Sequence, residues 1–584
     1  MLEYLDQKLP RIGAGIRDAV AEGYDRRRLR TDVLAGVTVG IVALPLAMAL
    51  AIASGVPPQH GLYTVIVAGI AVALLGGSRV NVSGPTAAFV VILLPVTHQF
   101  GIGGLLVATV MSGLILLAMG LGRLGRFIEF VPYPITIGFT SGIGVVIATI
   151  QLRDFLGLPL ESLRGDYLAK LGAIAGALPG LHPAALAVGA VTLAVLIAWP
   201  YTRINVPRHL VALVIGSLVA WAGGLVPGFH VATIASEFQW TLDGVSGTGI
   251  PPAAPHFAWP WQLAGPDGAP AGLSFELVRA LAGPAFAIAM LGAIESLLCA
   301  VVADGMAGTR HDPNAELVGL GIGNVLAPFF GGIPATAAIA RTATGIRAGA
   351  RSPVAALVHA LVVLAAVISL APLLGRIPLA ALAALLLVVA WNMSEARHFV
   401  RILRVAPVGD RVVLVTVFLL TVLFDMVLAV AVGMVLAALL FIKRTIDLTE
   451  TRLRVPPAHE HAGEVPARVA VYDINGPLFF GAAHKALKIL HEVDPGVGVV
   501  ILDMRDVSMV DMTAIVALES IATNLDRAGI GLILNELEPR LVLKLRRAGV
   551  RRRSGRVEFG RSFADSLARA RRMANGPPTE PGPA

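Results

Sequence analysis

Two short segments and one carboxylate carry most of the chemistry this sequence can offer. Asn81-Val-Ser-Gly-Pro-Thr86-Ala-Ala-Phe89 and Gly331-Gly-Ile-Pro-Ala-Thr336-Ala-Ala-Ile339 each set a Gly/Pro break before Thr-Ala-Ala within apolar surroundings. A helix that begins after such a break presents unpaired N–H groups and the positive end of its dipole, which suits an anion. A single segment of this kind reads as close helix packing, because small residues let backbones approach. A matched pair reads as a binding site, with Ser83, Thr86 and Ala87 on one side and Thr336, Ala337 and Ala338 on the other. Irregular backbone at membrane depth is tolerated only when protein buries it or it lines a wet cavity.

Glu295 lies about midway along Ala287-Ile-Ala-Met-Leu-Gly-Ala-Ile-Glu-Ser-Leu-Leu-Cys-Ala-Val-Val302. A carboxylate at that depth costs about 2.5–3.5 kcal/mol on insertion scales and turns toward a cavity or a partner. Two readings fit: a carboxyl that carries a coupled proton, or a protonated side chain bonded to a backbone carbonyl. Helical spacing puts Gly292 and Cys299 on its face. Arg341, two turns into the second broken segment, can complement an anion, pair with Glu295, or snorkel to the interface. Arg347 and Arg351 read as snorkelling side chains. Cys299 reads as a small hydrophobe, His359 as a packed histidine and Asp425 as a hairpin tip. Gly120-Leu-Gly-Arg-Leu-Gly125 satisfies the spacing of a dinucleotide loop but follows no strand, so it fails that test. No Walker A, HExxH or GxSxG sequence occurs, and the single cysteine excludes an intrachain disulfide or a cysteine-based metal framework. Neither a cofactor nor a metal is expected, nor an enzyme.

The elements that would hold these residues are membrane helices. The chain has 584 residues, 56% of them hydrophobic and only 14% charged, against about 25% charged in soluble domains. Mean hydropathy is +0.77. A soluble fold of this size leaves about 30% of its unfolded surface in water, so the apolar surplus must face lipid. Apolar stretches fall near 33–53, 61–77, 83–98, 104–122, 129–151, 184–200, 206–227, 275–303, 314–330, 335–346, 353–373, 376–392, 411–424 and 426–442. The pattern predicts a polytopic α-helical membrane protein with fourteen spans, and a seven-plus-seven division makes the two broken segments third in each half. The net charge of +8 follows from Arg and Lys collecting on the cytoplasmic side rather than from nucleic-acid binding. Arg26, Arg27, Arg28 and Arg30 before the first span, with Lys443 and Arg444 after the last, put both chain ends there. The connection at 228–274 holds no Lys or Arg but carries Trp240, Trp259 and Trp261, as an extracytoplasmic segment with an interface belt would.

Residues 1–31 are polar and read as a cytosolic prelude rather than a signal peptide. The membrane part runs over 32–444 and a linker over 445–466. From 467 to 573 the pattern changes: Arg468–Ile474, Pro477–Phe480, Val497–Asp503 and Gly531–Leu534 read as strands. Ala483–Val493, Thr513–Arg527 and Pro539–Ala548 read as helices, which together predict a small α/β domain. The Gly/Pro-rich end, 574–584, is expected to be disordered.

Several motifs resemble the sulfate permease (SulP/SLC26) anion transporters over nearly the whole chain. They are Gly55-Val-Pro-Pro-Gln-His-Gly-Leu-Tyr63, Gly76-Gly-Ser-Arg79, Ser83-Gly-Pro-Thr86, Glu316-Leu-Val-Gly-Leu-Gly-Ile-Gly-Asn324, and Phe330-Gly-Gly-Ile-Pro334. A C-terminal region similar to STAS domains completes the set. Met290–Val302, Ala327-Pro-Phe-Phe330, Ala335–Arg341 and Trp391-Asn-Met-Ser-Glu395 resemble the bacterial C4-dicarboxylic acid uptake branch. The resemblance implies inverted repeats arranged as core and gate subdomains, a homodimer, and a substrate between the third and tenth spans with the eighth alongside. Sodium-coupled bicarbonate relatives carry Asp and Thr, and a second Thr, where this chain has Glu295, Cys299 and Ile339. Sodium prefers oxygen ligands as other hard cations do, so a proton on Glu295 is the expected coupling ion. Asp511-Met-Thr-Ala514 stands where soluble STAS relatives carry Asp-Ser-Ser-Gly, which makes Thr513 a candidate phosphoacceptor. The expected function is proton-coupled import of C4-dicarboxylates such as succinate, fumarate or aspartate across a bacterial inner membrane. The alternatives are a sulfate or bicarbonate carrier of the same fold, or an anion channel or sensor signalling through the STAS-like region. Acyl carrier protein is a cytosolic partner that the resemblance suggests.

Overall fold

Asp25 opens the first long helix by accepting the Arg28 N–H at 2.7 Å, and the run that follows is apolar and largely buried to Ala53. The computed structural model describes residues 10–575 except 127–130, 161–162, 164, 203, 205, 243, 425, 449, 454–464, 480–493, 495, 508, 548–549, 551–552 and 554–555. It divides into two units, Met1–Val435 and Leu436–Ala584.

The first unit contains α1 (Ala14–Ala21), α2 (Arg26–Ala53), α3 (Pro58–Leu75), β1 (Ser83–Gly84), α4 (Ala87–Leu121), α5 (Tyr133–Leu156), α6 (Tyr167–Ala177), α7 (Pro183–Ala198) and α8 (Arg208–Gly223). A hairpin, β2 (Gln239–Leu242) and β3 (Val245–Thr248), precedes α9 (Phe275–Ala307) and α10 (Pro313–Leu326). Then come β4 (Thr336–Ala337), α11 (Ile339–Arg347), α12 (Val354–Leu374), α13 (Leu379–Met393), α14 (Ala396–Val405) and α15 (Val408–Leu423). The helix α16 (Met426–Leu448) runs across the division between units.

Gly101, at φ 70° and ψ −175°, breaks α4 into two helices, a backbone state that glycine adopts without penalty. With α4 counted as two, each of the fourteen apolar stretches contains a helix. Nine helices among the described residues are long and apolar enough to cross a bilayer on length and composition. Three of the helices labelled in this unit fall outside the expected spans, α1, α6 and α14; all are short, and α14 alternates Arg with apolar residues. Large apolar side chains such as Leu34, Ile197, Leu218, Trp221 and Phe441 are exposed on the protein surface, where a bilayer would cover them.

Helix contacts sort the unit into two bundles. One gathers α2, α3, α4, α9, α10, α11 and α12; the other gathers α5, α7, α8, α13 and α15. The α4–α10 crossing shows how sequence permits the packing. A Cβ at Gly113 would lie 2.8 Å from the Gly321 carbonyl oxygen, and one at Gly321 would lie 2.9 Å from that of Gly113. Reciprocal glycines bring these backbones together, as small residues do between membrane helices. In the 228–274 connection, Trp259 stacks on Trp261 with ring centres 4.9 Å apart, and Phe257 stacks on Phe329 just after α10.

The second unit holds a five-stranded sheet of β5 (Glu450–Leu453), β6 (Val469–Asn475), β7 (Val499–Asp503), β8 (Gly531–Asn535) and β9 (Val557–Gly560), in that spatial order. The β5 pairing is antiparallel and the other three are parallel. All residues of β7 and β8 are buried, as a parallel sheet covered on both faces requires. Helices α17 (Met512–Arg527) and α18 (Pro539–Arg547) pack one face through Leu518, Leu541 and Leu545. Helix α19 (Phe563–Asn575) covers the other through Phe563 and Ala570. The expected strand at Pro477–Phe480 is reduced to one bridge, Leu478 with Val510. Pro477 has no N–H to give a ladder. The expected helix at Ala483–Val493, Asp425 and most of the 574–584 tail lie outside the described residues.

Candidate functional site

The two broken segments meet. β1 and β4 pair antiparallel, Ser83 opposite Ala337 and Gly84 opposite Thr336. The Ala338 N–H extends the contact by donating to the Val82 carbonyl at 3.0 Å. Just past the bridge on each side a helix begins: α4 with Thr86 as its N-cap residue, and α11 with Ala338. Neither cap residue gives its side chain to the first-turn N–H groups. Both helix starts therefore keep backbone donors free for a bound anion.

Helix α9 runs alongside and ties to both segments. Thr86 Oγ1 donates to Glu295 Oε2 at 2.9 Å, and Thr336 Oγ1 donates to the Gly292 carbonyl at 3.0 Å. Thus Glu295 and Gly292, one turn apart, each engage one of the two threonines. Glu295 is partly exposed, whereas Thr336 is fully buried. Cys299, one turn further, donates its thiol to Thr342 Oγ1 at 3.4 Å, and Thr342 also accepts the Val82 N–H at 3.0 Å.

Arg341 is only 4% exposed. Its Nη2 donates to the Pro85 carbonyl, while Nη1 is buried with no hydrogen-bond partner among the described residues. Of the three expectations for Arg341, snorkelling does not occur. The guanidinium forms no ion pair with Glu295, although the two interact electrostatically. It reaches across to the first broken segment and retains an unsatisfied donor, the state a buried guanidinium adopts beside an anion site. Ser83 Oγ is likewise buried without a partner. Ala87 and Ala337 are buried, Ala338 is partly so, and Ile339 is exposed at the start of α11. Cys299 and His359 are both buried, as expected for packed side chains.

Sequence reasoning missed the residues that hold this crossing in place. Asn324 Oδ1 accepts the Ala335 N–H at 2.7 Å and its Nδ2 donates to the Ala335 carbonyl at 2.9 Å, so one side chain pairs the segment as a strand would. Glu316, 1% exposed, accepts from the Gly77 and Ser78 N–H groups at 2.9 Å, Asn81 Nδ2 at 2.8 Å and Ser296 Oγ at 3.2 Å. Asp32 accepts the Arg351 N–H at 2.7 Å, Ser352 Oγ at 2.5 Å and Tyr24 Oη at 2.8 Å, anchoring the chain just past α11. Their signal was available: each is a polar side chain in a predominantly apolar helix, and such residues normally have a built partner. Among the described residues no group of three or more His, Cys, Asp or Glu stands close enough to hold a metal ion.

In the second unit Asp511 caps α17 by accepting the Ala514 N–H at 2.8 Å. Thr513 sits in the first turn with its side chain exposed.

Comparison with known proteins puts these features in company. The profile of the sulfate permease family matches residues 29–417, and that of the STAS domain matches 462–565. The putative sulfate transporter YvdB of Bacillus subtilis is 39% identical over 92% of this chain and 97% of its own length. The bicarbonate transporter BicA of Picosynechococcus is 30% identical over 85% of this chain and 86% of its own. The solved transmembrane domain of a cyanobacterial BicA covers 71% of this chain and 98% of its own, at TM-score 0.59 and 28% identity. The inward-facing structure of murine Slc26a9, an anion transporter, covers 98% of this chain and 95% of its own at TM-score 0.83, with 19% identity. That likeness concerns the fold.

Proposed function

Because this chain belongs to the sulfate permease family, a family of multi-pass membrane anion transporters and not of enzymes, we propose that it carries a small inorganic oxyanion across the membrane by alternating access. Sulfate is the first assignment and bicarbonate the second. The observation that carries this reading is the Arg341 guanidinium, buried with one free Nη1 beside the crossing of two helix starts. An oxyanion there takes N–H donors from the Ala87 and Ile339 ends and a charge-assisted bond from Arg341. Ser83, Thr86, Thr336, Ala337 and Ala338 shape the rest of the cradle, with Gly292, Cys299 and Ile339 along its wall. The expected C4-dicarboxylate specificity has less support, since the relatives found at 30% identity and above carry names of sulfate and bicarbonate transporters. Bicarbonate is retained because the likeness to BicA extends to its solved membrane domain.

Glu295 is the proposed carrier of a coupled proton. It reaches Thr86 at the first helix start and feels the Arg341 charge, so binding of an anion and of a proton affect each other. In this reading the protein works as a homodimer in a bacterial inner membrane with both termini cytosolic. The STAS unit regulates it through the exposed Thr513 turn, with acyl carrier protein a candidate partner.

Purified protein in proteoliposomes tests the substrate. Uptake of labelled sulfate, competed by bicarbonate and by succinate, should follow sulfate first. Succinate uptake indifferent to excess sulfate would return the dicarboxylate reading, and failure to move any of the three anions would refute transport at this site.

A further inference from the structure

A cleft of about 460 Å³ opens between α5, α13, α14 and α15, away from the broken-helix crossing. Val145 and Ala148 of α5, Leu387 and Trp391 of α13, Phe399 of α14 and Phe418 of α15 give it apolar walls. Its size lies within the ~300–1,000 Å³ of small-molecule sites. Trp391 is 71% exposed at its mouth.

One wall is helix α14, Ala396-Arg-His-Phe-Val-Arg-Ile-Leu-Arg-Val405. Arg397, Arg401 and Arg404 recur at i, i+4 and i+7 and so share one face, while Phe399, Ile402 and Leu403 lie on the other. The three arginines are exposed, and none forms an ion pair among the described residues. The nearest carboxylate in sequence, Glu395, is engaged by His398 Nδ1 at 2.8 Å. Ser141 of α5 donates to the Ser394 carbonyl and fixes where α14 begins. Tyr133, exposed at the start of α5, lies within electrostatic reach of Glu395 and Arg401.

A short basic helix with one apolar face, joining two membrane helices, is built to lie in the interface plane. Unpaired cations beside an apolar cleft between membrane helices match one kind of ligand: an aliphatic chain that ends in an anionic phosphate. A soluble anion would leave the apolar cleft unfilled, and a zwitterionic lipid would bring no net charge to the arginines. We propose that this cleft seats an acyl chain of an anionic glycerophospholipid, with its phosphate held by Arg397, Arg401 and Arg404.

Native mass spectrometry of the detergent-purified full chain tests this, by titration with phosphatidylglycerol and phosphatidylcholine of identical acyl chains. The protein should retain phosphatidylglycerol in preference. Joint substitution R397Q/R401Q/R404Q should weaken that lipid about tenfold or more and erase the preference. Ala148→Phe, which fills the cleft and leaves charge intact, should weaken both lipids. Neutralising Arg26, Arg27 and Arg30 on α2 should do neither. No preference in the wild-type protein overturns the proposal. So does equal loss on neutralising the α2 arginines, or unchanged lipid affinity in Ala148→Phe, and the last arm decides the matter even if the triple variant misfolds.

Discussion

Replacing Glu316 separates the role of a charge from that of a hydrogen-bond acceptor. Its two carboxylate oxygens receive four donors: two backbone N–H groups of the turn after α3, the Asn81 amide and the Ser296 hydroxyl. Glu316→Ala leaves all four buried without their acceptor. Each orphaned donor costs about 1–3 kcal/mol, so even with relaxation the loss should be on the order of 4 kcal/mol. Glu316→Gln is different. The amide oxygen can stay on Gly77 and Ser78 while its NH₂ faces Asn81 and Ser296. Asn81 Oδ1 is buried with no partner, so a flip of the Asn81 amide turns a clash of donors into a bond, at the cost of the 3.4 Å bond from Asn81 Nδ2 to the Ser296 carbonyl. The charge-assisted part and that long bond are then lost, about 1–2 kcal/mol. Equilibrium unfolding of the purified variants in mixed micelles reads both differences, and transport at matched folded amounts reads their effect on the site. An Ala variant within about 1 kcal/mol of wild type, or a Gln variant as damaged as Ala, would refute the reasoning.

Four further outcomes concern the site and the STAS unit. Glu295→Gln should abolish uptake driven by an inward proton gradient yet leave anion exchange; a gradient response equal to that of wild type would remove Glu295 as the proton carrier. Arg341→Gln should weaken anion binding about tenfold or more by removing a charge-assisted donor, whereas Thr336→Val should cost about 1 kcal/mol of stability by removing the bond to the Gly292 carbonyl, which keeps its intrahelical partner; calorimetry on folded protein and thermal unfolding separate the two. Truncation after Arg444 should change transport rate or membrane abundance and leave the order of competing anions as it is; a reordered series would place part of the specificity in the STAS unit.

The fold was legible where a residue's meaning is local. Apolar run length marked the membrane helices, and the paired Gly/Pro breaks before Thr86 and Thr336 marked two segments that the structure brings into one bridge. The α/β periodicity after residue 467 read correctly for the same reason. What escaped were features whose sense depends on a distant partner. Glu316 lies 239 residues from the Gly77 N–H it receives, and Asp32 lies 319 from that of Arg351. Neither spacing nor polarity names such a partner. Arg341 shows the same limit: its depth was readable, but not its turn toward Pro85 rather than Glu295. Helix α14 was passed over because it is too short and too basic for a span, and the cleft it helps enclose exists only once four helices pack.

The bridge between Ser83–Gly84 and Thr336–Ala337 joins stretches that lie roughly 250 positions apart, one from each half of the chain. Any displacement of one stretch carries the other with it, since parting them breaks backbone pairs in a setting without water to replace them. In the alternating access proposed above, the cradle of helix starts would travel as a single rigid piece and meet its cargo with the same atoms whichever side it faced. Nothing in such a cradle sets a direction, so the side on which the anion accumulates would be decided by the gradients of the anion and of any ion coupled to it.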